Sequence, residues 1–465
     1  MNRFIILFLF SLGILSTCVF AVEVIPLNEG WNFHRGFQAP ASEIVKVTLP
    51  HTWNAGDGMF GNADYYRGLC NYSRKLSVPA HYRGKRFFLK VMAAQTVADI
   101  FIDHHFVMQH KGGYTAFVAE LTDFLVPGTE SVLEIRVSNA QTMDIAPICG
   151  DFNMFGGLYR GVELLVTEDV CIEPAYDENL RLQLKELILQ NYNHPCILFW
   201  GLFNEINSGW LDRPSRMAAE LHALARQLDS SRPTMGASNQ DDDFNGFTDL
   251  IAFNKYFGWY GDNMDDMGRW IDREHAAHPE RKMGISEYGA GACVFQQADS
   301  LRHPEPWGQW HPENWQTYYH VENWKQLQER EFLWCNFIWC MFDFSAAGRR
   351  EGTIMGRNDK GLVTYDRKIK KDAFYFYKAN WNQEDKFVYI AGKRLVNRTR
   401  KTVDVQVFSN SGAAKLYING KAYGTAKPDS VNVLEWKGIV LDTGENRIEV
   451  RNKYGADCCV WICPF

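Results

Sequence analysis

The sequence has no excess of basic charge. Its formal net charge is −6, which removes the electrostatic case for nucleic acid as a partner, since such proteins present clustered Lys and Arg to the phosphates. It has no cysteine framework either. The 11 cysteines follow neither the spacing of a small disulfide scaffold nor a zinc pattern, and no cluster of ligand-type side chains calls for a metal or other cofactor. A membrane span is not favoured. The leading apolar run, Phe4 to about Phe20, is too short with its flanks and has the form of a secretory signal peptide ending at Ala21. Export to the periplasm or the exterior is the expectation. Leu15-Ser16-Thr17-Cys18 hints at a lipoprotein box, but Thr before the Cys fits that box poorly. Cys196, Cys335 and Cys340 lie in apolar runs and read as buried thiols. Pairing among Cys458, Cys459 and Cys463 is left open.

At 465 residues the chain is too long for one core and reads as two or three domains. Aromatics make up 14 % of it, which suits sugar binding because rings stack on the apolar faces of pyranoses, although large cores use them too. Residues 22–168 read as short alternating strands separated by turns, for example 85–91, 97–102 and 132–137, and predict a β-sandwich. Residues 169–382 alternate apolar runs with helical stretches such as Ser215 to Leu228, which implies parallel strands. Leu180, Leu184, Leu187 and Ile188 fall on one face of an amphipathic helix that opens this region. Residues 383–465 return to β character, with Val403–Phe408, Ala414–Ile418 and Asn446–Val450 as strands of a small sandwich.

Two stretches carry the chemistry. Cys196 to Phe203 is an apolar run followed by Asn204-Glu205, and Met283-Gly284-Ile285 is followed by Ser286-Glu287. Each places a carboxylate where a parallel strand meets its loop, the position at which (β/α)₈ barrels build their sites. A lone Glu at a strand end is ordinarily just solvated. Two of them can serve glycosidic cleavage, one as acid/base and one as nucleophile.

Asn193-His194-Pro195 running on to Asn204-Glu205, together with Ile285-Ser286-Glu287-Tyr288-Gly289-Ala290, resembles glycoside hydrolase family 2, the β-galactosidases, β-glucuronidases and β-mannosidases. The resemblance extends to Gly30-Trp31-Asn32-Phe33, Tyr66-Arg67-Gly68 and Gly156-Gly157-Leu158-Tyr159-Arg160, which look like the family's N-terminal jelly-roll domain. It implies Glu205 as acid/base, Asn204 as partner of the sugar 2-hydroxyl and Glu287 as nucleophile of a retaining exo-glycosidase. It further implies Tyr256 on the nucleophile, Asn254 and Tyr260 on the site wall, Trp339 as a floor for the sugar, and Asp151 reaching the sugar from a jelly-roll loop. His311, in the long loop before the last barrel strand, becomes a candidate contact for the substrate's distal part.

Asn358-Asp359-Lys360 is ambiguous. β-Glucuronidases use an Asn-x-Lys to grip the substrate carboxylate, while the surrounding run from Gly361 to Lys378 resembles β-galactosidase-type members more closely. The reading therefore leans to terminal β-galactosides, with β-glucuronides as the alternative. A non-catalytic carbohydrate-binding remnant is the rival from another class.

One part of the family pattern has no counterpart. After Gly157 to Leu164 the family continues with a central immunoglobulin-like domain and the first three βα units, whereas here Val170-Cys171-Ile172-Glu173-Pro174 leads straight to a helix. The expected fold is thus a jelly-roll β-sandwich, an incomplete (β/α)₈ barrel holding strands four to eight, and a C-terminal Ig-like β-sandwich. Strand five is placed near 234–239, strand six at Leu250–Asn254, strand seven at Met283–Glu287 and strand eight at 337–342. Open parallel edges would invite pairing with another chain, including a second copy.

Overall fold

The computed structural model describes residues 23–58, 65–142, 144–147, 150–167, 179–206, 214–240, 243–261 and 263–464. The signal-peptide reading and the 170–174 junction lie outside them. Two compact units result.

The first unit comprises residues to Trp53, Arg67–Gln141 and Gly156–Asp177. Its strands are β1 (Glu23–Pro26), β2 (Trp31–Arg35), β3 (Val45–Val47), β4 (Leu69–Ser77), β5 (Arg86–Val91), β6 (Val97–Ile102), β7 (His105–Lys111), β8 (Phe117–Glu120), β9 (Glu130–Ser138) and β10 (Val162–Thr167). They form two antiparallel sheets, β1-β10-β5-β8 and β3-β2-β4-β9-β6-β7. Val, Ile and aromatic residues alternate along them, so each strand has one face for the core. In β6, for instance, Ala98, Ile100 and Ile102 are buried between less buried neighbours. Trp31, Tyr72, Phe87 and Leu89 fill the interior.

The second unit takes the remaining chain, including the short segments Asn54–Tyr66 and Thr142–Phe155 that are sequence neighbours of the sandwich strands. Hydrogen bonds explain why 142–155 belongs here. Asn153 accepts the Ala347 N–H at 2.7 Å and donates its own N–H to the Ser345 carbonyl at 3.2 Å.

Helix α1 (Asn179–Asn191) leads to β11 (Trp200–Asn204). Then follow α2 (Pro214–Leu228), β12 (Thr234–Ser238), β13 (Leu250–Asn254), α3 (Asp266–Ala277) and β14 (Met283–Glu287). The four strands pair in parallel in the order β11-β12-β13-β14. Among the described residues β11 and β14 are the end strands of this sheet.

Three expectations are corrected. The apolar run before Glu205 is not strand throughout: His194 to Phe199 is turn and loop, and Cys196 is exposed rather than buried. Strand eight is not a regular strand at 337–342. Instead residues 334–339 run along β14, with Phe337 N on Ile285 O at 2.8 Å and Trp339 N on Tyr288 O at 3.0 Å. The chain then turns to meet Val363 through Phe342. Third, the α1 face is only half used. Leu184 and Ile188 pack with Trp200, Leu221 and Ala225, while Leu180 and Leu187 remain exposed. An apolar helix face stays dry only where a neighbouring element covers it.

Beyond β14 come α4 (Glu313–Leu327), the two-residue strands β15 (Phe344–Ser345) and β16 (Arg357–Asn358), and α5 (Asp372–Trp381). The C-terminal sandwich follows with β17 (Tyr389–Ile390), β18 (Thr402–Phe408), β19 (Ala414–Ile418), β20 (Lys421–Ala426), β21 (Val433–Val440), β22 (Gly444–Asn452) and β23 (Gly455–Cys463). Its sheets are β17-β18-β21 and β20-β19-β22-β23, closed over Val405, Leu416, Ile448 and Trp461. Buried polar contacts join it to α4 and α5: Arg394 bonds Glu313 and Asp372 at 2.7 Å each, and the Tyr389 hydroxyl donates to Asp372 at 2.7 Å. Burial, with the Glu313 charge beside it, pushes the Asp372 carboxyl up to about 6. Among the described residues Cys335, Cys340, Cys458 and Cys459 are free thiols.

Candidate active site

The C-terminal ends of β11, β13 and β14 supply the centre. In both outer strands an extra residue shifts the register just before the carboxylate: Leu202 in β11 and Ser286 in β14. Such bulges re-aim the side chains that follow them. Glu205 then leaves β11 with φ 50°, sparsely populated for a residue with a Cβ. Its N–H is held on the Ala237 carbonyl at 2.9 Å. Residues in such conformations cluster at functional sites, where the surrounding structure holds them.

Asn254, buried at the end of β13, links the two carboxylates. Its Nδ2 donates to Glu205 Oε1 at 2.8 Å and to Asn204 Oδ1 at 3.1 Å, and its Oδ1 accepts from Ser286 Oγ at 2.6 Å. The amide also acts on Glu287, favouring its ionised form. Tyr256 donates its hydroxyl to Glu287 Oε2 at 2.6 Å. Burial pushes the Glu287 carboxyl up to about 7; the Glu205 charge adds to that, while the Tyr256 bond and Lys360 oppose it. Burial and the adjoining Glu287 hold the Tyr256 hydroxyl well above the usual phenol range, so it is a donor here.

Tyr260 stands edge-on to Tyr256 with ring centroids 5.3 Å apart. The Lys360 ammonium lies 5.0 Å from the Tyr260 ring centroid and 5.8 Å from that of Trp259, and Lys360 is only 2 % exposed. Among the described residues no carboxylate forms an ion pair with it. Its neighbour Asp359 is instead bonded to His311 Nδ1 at 2.8 Å. Burial works against ionisation of Asp359, but the His311 bond and the Lys371 and Lys360 charges hold its carboxyl below the usual range. Lys371 is itself engaged, donating to Asp343, to the Ala292 carbonyl and to the Asp359 carbonyl at 2.8 Å each.

Asp151 meets this group from the 142–155 segment. Arg349 grips it through Nε at 2.6 and 2.7 Å and again through Nη2, and also bonds Glu351. Asn358 Nδ2 donates to Asp151 at 2.8 Å, and Asn358 Oδ1 accepts the Lys360 N–H at 3.1 Å. Trp339 is half-buried, edge-on to Phe344 at 5.7 Å. Gly289 allows the chain to pass it, since a Cβ there would lie 2.0 Å from the Trp339 carbonyl oxygen.

Glu205, Glu287, Asn204, Asn254, Tyr256, Tyr260 and Lys360 are thus joined by direct contacts, and Asp151 and Asn358 are joined to each other and through Asn358 to the Lys360 backbone. His311 is placed differently. It is fully buried behind Trp259 and holds Asp359. The sequence motifs assign no role to Arg349 or Ser286; the charged run Arg349-Arg350-Glu351 is the available signal for the first. Among the described residues no group of His, Cys, Asp and Glu is arranged to hold a metal ion.

Residues 21–168 match the family model for glycosyl hydrolases family 2, sugar binding domain, and residues 141–384 match the model for glycosyl hydrolases family 2, TIM barrel domain. A beta-glucuronidase of Bacteroides fragilis is 32 % identical over an alignment of 659 residues that spans 97 % of this chain and 94 % of that protein. The FMN-binding beta-glucuronidase from Facaelibacterium prausnitzii L2-6 superposes with a TM-score of 0.85 at 26 % identity, covering 96 % of this chain and 98 % of that one. A putative beta-galactosidase from Bacteroides fragilis superposes with a TM-score of 0.87 at 23 % identity, covering 95 % and 98 %, a likeness of fold. With both family models matched and a relative aligned along nearly its whole length, the chain belongs to glycoside hydrolase family 2, a family of hydrolases.

Proposed function

We propose that this exo-glycosidase is a retaining β-glucuronidase. The observation that carries the reading is Lys360, a buried ammonium beside Glu287 with no carboxylate paired to it among the described residues. A desolvated cation without a counter-ion is costly, and a uronate carboxylate would supply one. Asn358 stands next to it. The galactoside reading leaves that ammonium without a direct ion pair among the described residues, and the relative at 32 % identity is a beta-glucuronidase by name.

In this mechanism Glu287 attacks the anomeric carbon as Glu205 protonates the leaving oxygen. The bond to the leaving group breaks and a glycosyl–Glu287 ester forms. Glu205 then takes a proton from water, which releases the sugar with its configuration retained. Asn254 keeps both carboxyl groups in register, and Asn204 stands ready for the 2-hydroxyl.

The incomplete barrel belongs to the same reading. Its support is threefold: β11 is a sheet edge, Leu180 and Leu187 of α1 lie exposed, and the 659-residue alignment exceeds the 465 residues of the chain. Exposure of Asn204 and Glu205 at that edge favours the second reading, a carbohydrate-binding protein without turnover. Export rests on the N-terminal apolar run, and mass spectrometry of the protein recovered from outside the cytoplasm checks cleavage after Ala21.

The deciding experiment is release of chromophore from aryl β-glucuronide and aryl β-galactoside by the full chain beside Glu287→Gln. Glucuronide turnover lost in the variant supports the proposal. Preference for galactoside overturns the sugar assignment, and folded protein that binds without turnover supports the binding reading.

A further inference from the structure

Beyond the pocket, one exposed side chain is tied to it by ring contacts. Trp307 stacks on Tyr260 with centroids 5.1 Å apart and planes 29° apart, yet stays 64 % exposed. Tyr260 in turn touches Tyr256, which bonds Glu287. The Trp307 loop is anchored on both sides: His303 Nε2 contacts the Trp259 carbonyl at 3.0 Å, Gly308 N bonds the Glu305 carbonyl at 2.9 Å, and Gly352 N bonds the Gly308 carbonyl at 2.9 Å. An indole held in place with so much of its surface in water is a stacking surface without an occupant.

We propose that Tyr260 and Trp307 form a platform for the leaving group, taking an aryl ring or the apolar face of a pyranose attached through the scissile oxygen. An exo-acting enzyme holds a single terminal sugar in its pocket, so any further ring touched by the rim belongs to the leaving group. The proposal rests on the exo-glycosidase assignment and not on which sugar the pocket prefers. Stacking of this kind is directional and needs a flat aryl ring or a pyranose face that presents its C–H bonds. Pre-organisation of the loop lowers the entropy lost on binding.

The test is equilibrium binding by calorimetry to the full chain carrying Glu287→Gln, which removes turnover. The ligands are p-nitrophenyl and methyl β-glucuronide and the two corresponding β-galactosides. The parent is expected to hold each p-nitrophenyl glycoside about fivefold tighter than its methyl counterpart, the scale of one aromatic stacking contact. Trp307→Ala should erase that difference and leave methyl glycoside affinity unchanged, and Trp307→Phe should keep most of it. Trp310→Ala, at a residue 52 % exposed and without ring contact to Tyr260 among the described residues, should keep it as well. A parent with no aryl-over-methyl difference, or a Trp307→Ala chain that loses both ligand types alike, overturns the platform. Equal binding of glucuronides and galactosides overturns the uronate reading alone, because the platform comparison is made within each sugar.

Discussion

Glu287 and Glu205 reach the site by the same device, a bulged strand end, and differ in what surrounds them. Glu287 leaves β14, which has β13 on one side and the 334–339 segment hydrogen-bonded along the other, with Tyr256, Asn254 and Lys360 around it. Glu205 leaves the edge strand β11 and faces solvent, with Asn254 as its described side-chain partner. Desolvation acts on the enclosed group and raises its carboxyl to about 7, which opposes the ionised state a nucleophile needs. Family chemistry calls for the reverse division, an enclosed acid and an ionised nucleophile. Enclosure, not strand position, is therefore what raises the Glu287 carboxyl.

The largest expected effect breaks the comparison outright. Glu287→Gln should cut turnover of aryl β-glucuronide by about a thousandfold or more, whereas Glu205→Gln should cost about a hundredfold or more on alkyl glucuronides and much less on activated aryl ones, whose leaving groups need no proton. Equal losses on both substrates would mean that Glu205 is not the acid. Lys360→Met should lower kcat/KM for glucuronide about ten- to a hundredfold and spare galactoside, the scale of a charge-assisted contact.

A pH profile sharpens the enclosed side. As the proposed nucleophile Glu287 would have to be ionised, so kcat/KM should rise with pH through about 7. The Tyr256 bond favours the ionised form, and Tyr256→Phe should move that limb to higher pH with a rate loss of about tenfold at neutral pH. A limb that stays in place would remove Tyr256 from this role. The smallest effects test the open side by denaturant unfolding. Leu187→Glu on α1, at a residue 37 % exposed, should change stability by about 0.5 kcal/mol or less. Ile188→Ala beside it, fully buried, should cost about 2 kcal/mol or more. A large loss from Leu187→Glu would mean that another chain covers this face.

Local chemistry made much of the second unit legible. Leu250–Asn254 and Met283–Glu287 are strands with the boundaries their apolar runs predict, because buried parallel strands read as continuous apolar stretches. The same rule misled at Cys196–Phe199, where an apolar run lies in loop and turn. It misled again at 337–342, where pairing to β14 starts earlier and ends in a turn. Periodicity marked Leu180 and Leu187 as core-facing on α1, but periodicity says which residues share a face and not whether anything covers it.

The sequence by itself determined the family, the two carboxylates and their strand-end setting, since motif identity and short-range patterning are properties of neighbouring residues. Only the tertiary structure decided that His311 stands behind Trp259 holding Asp359, that Arg349 and Asn358 secure Asp151, and that Lys360 is buried with no carboxylate in ion-pair contact among the described residues. Those are contacts between residues up to 207 positions apart. Their partners are selected by which loops the sheet ends bring together, and no local spacing encodes that choice.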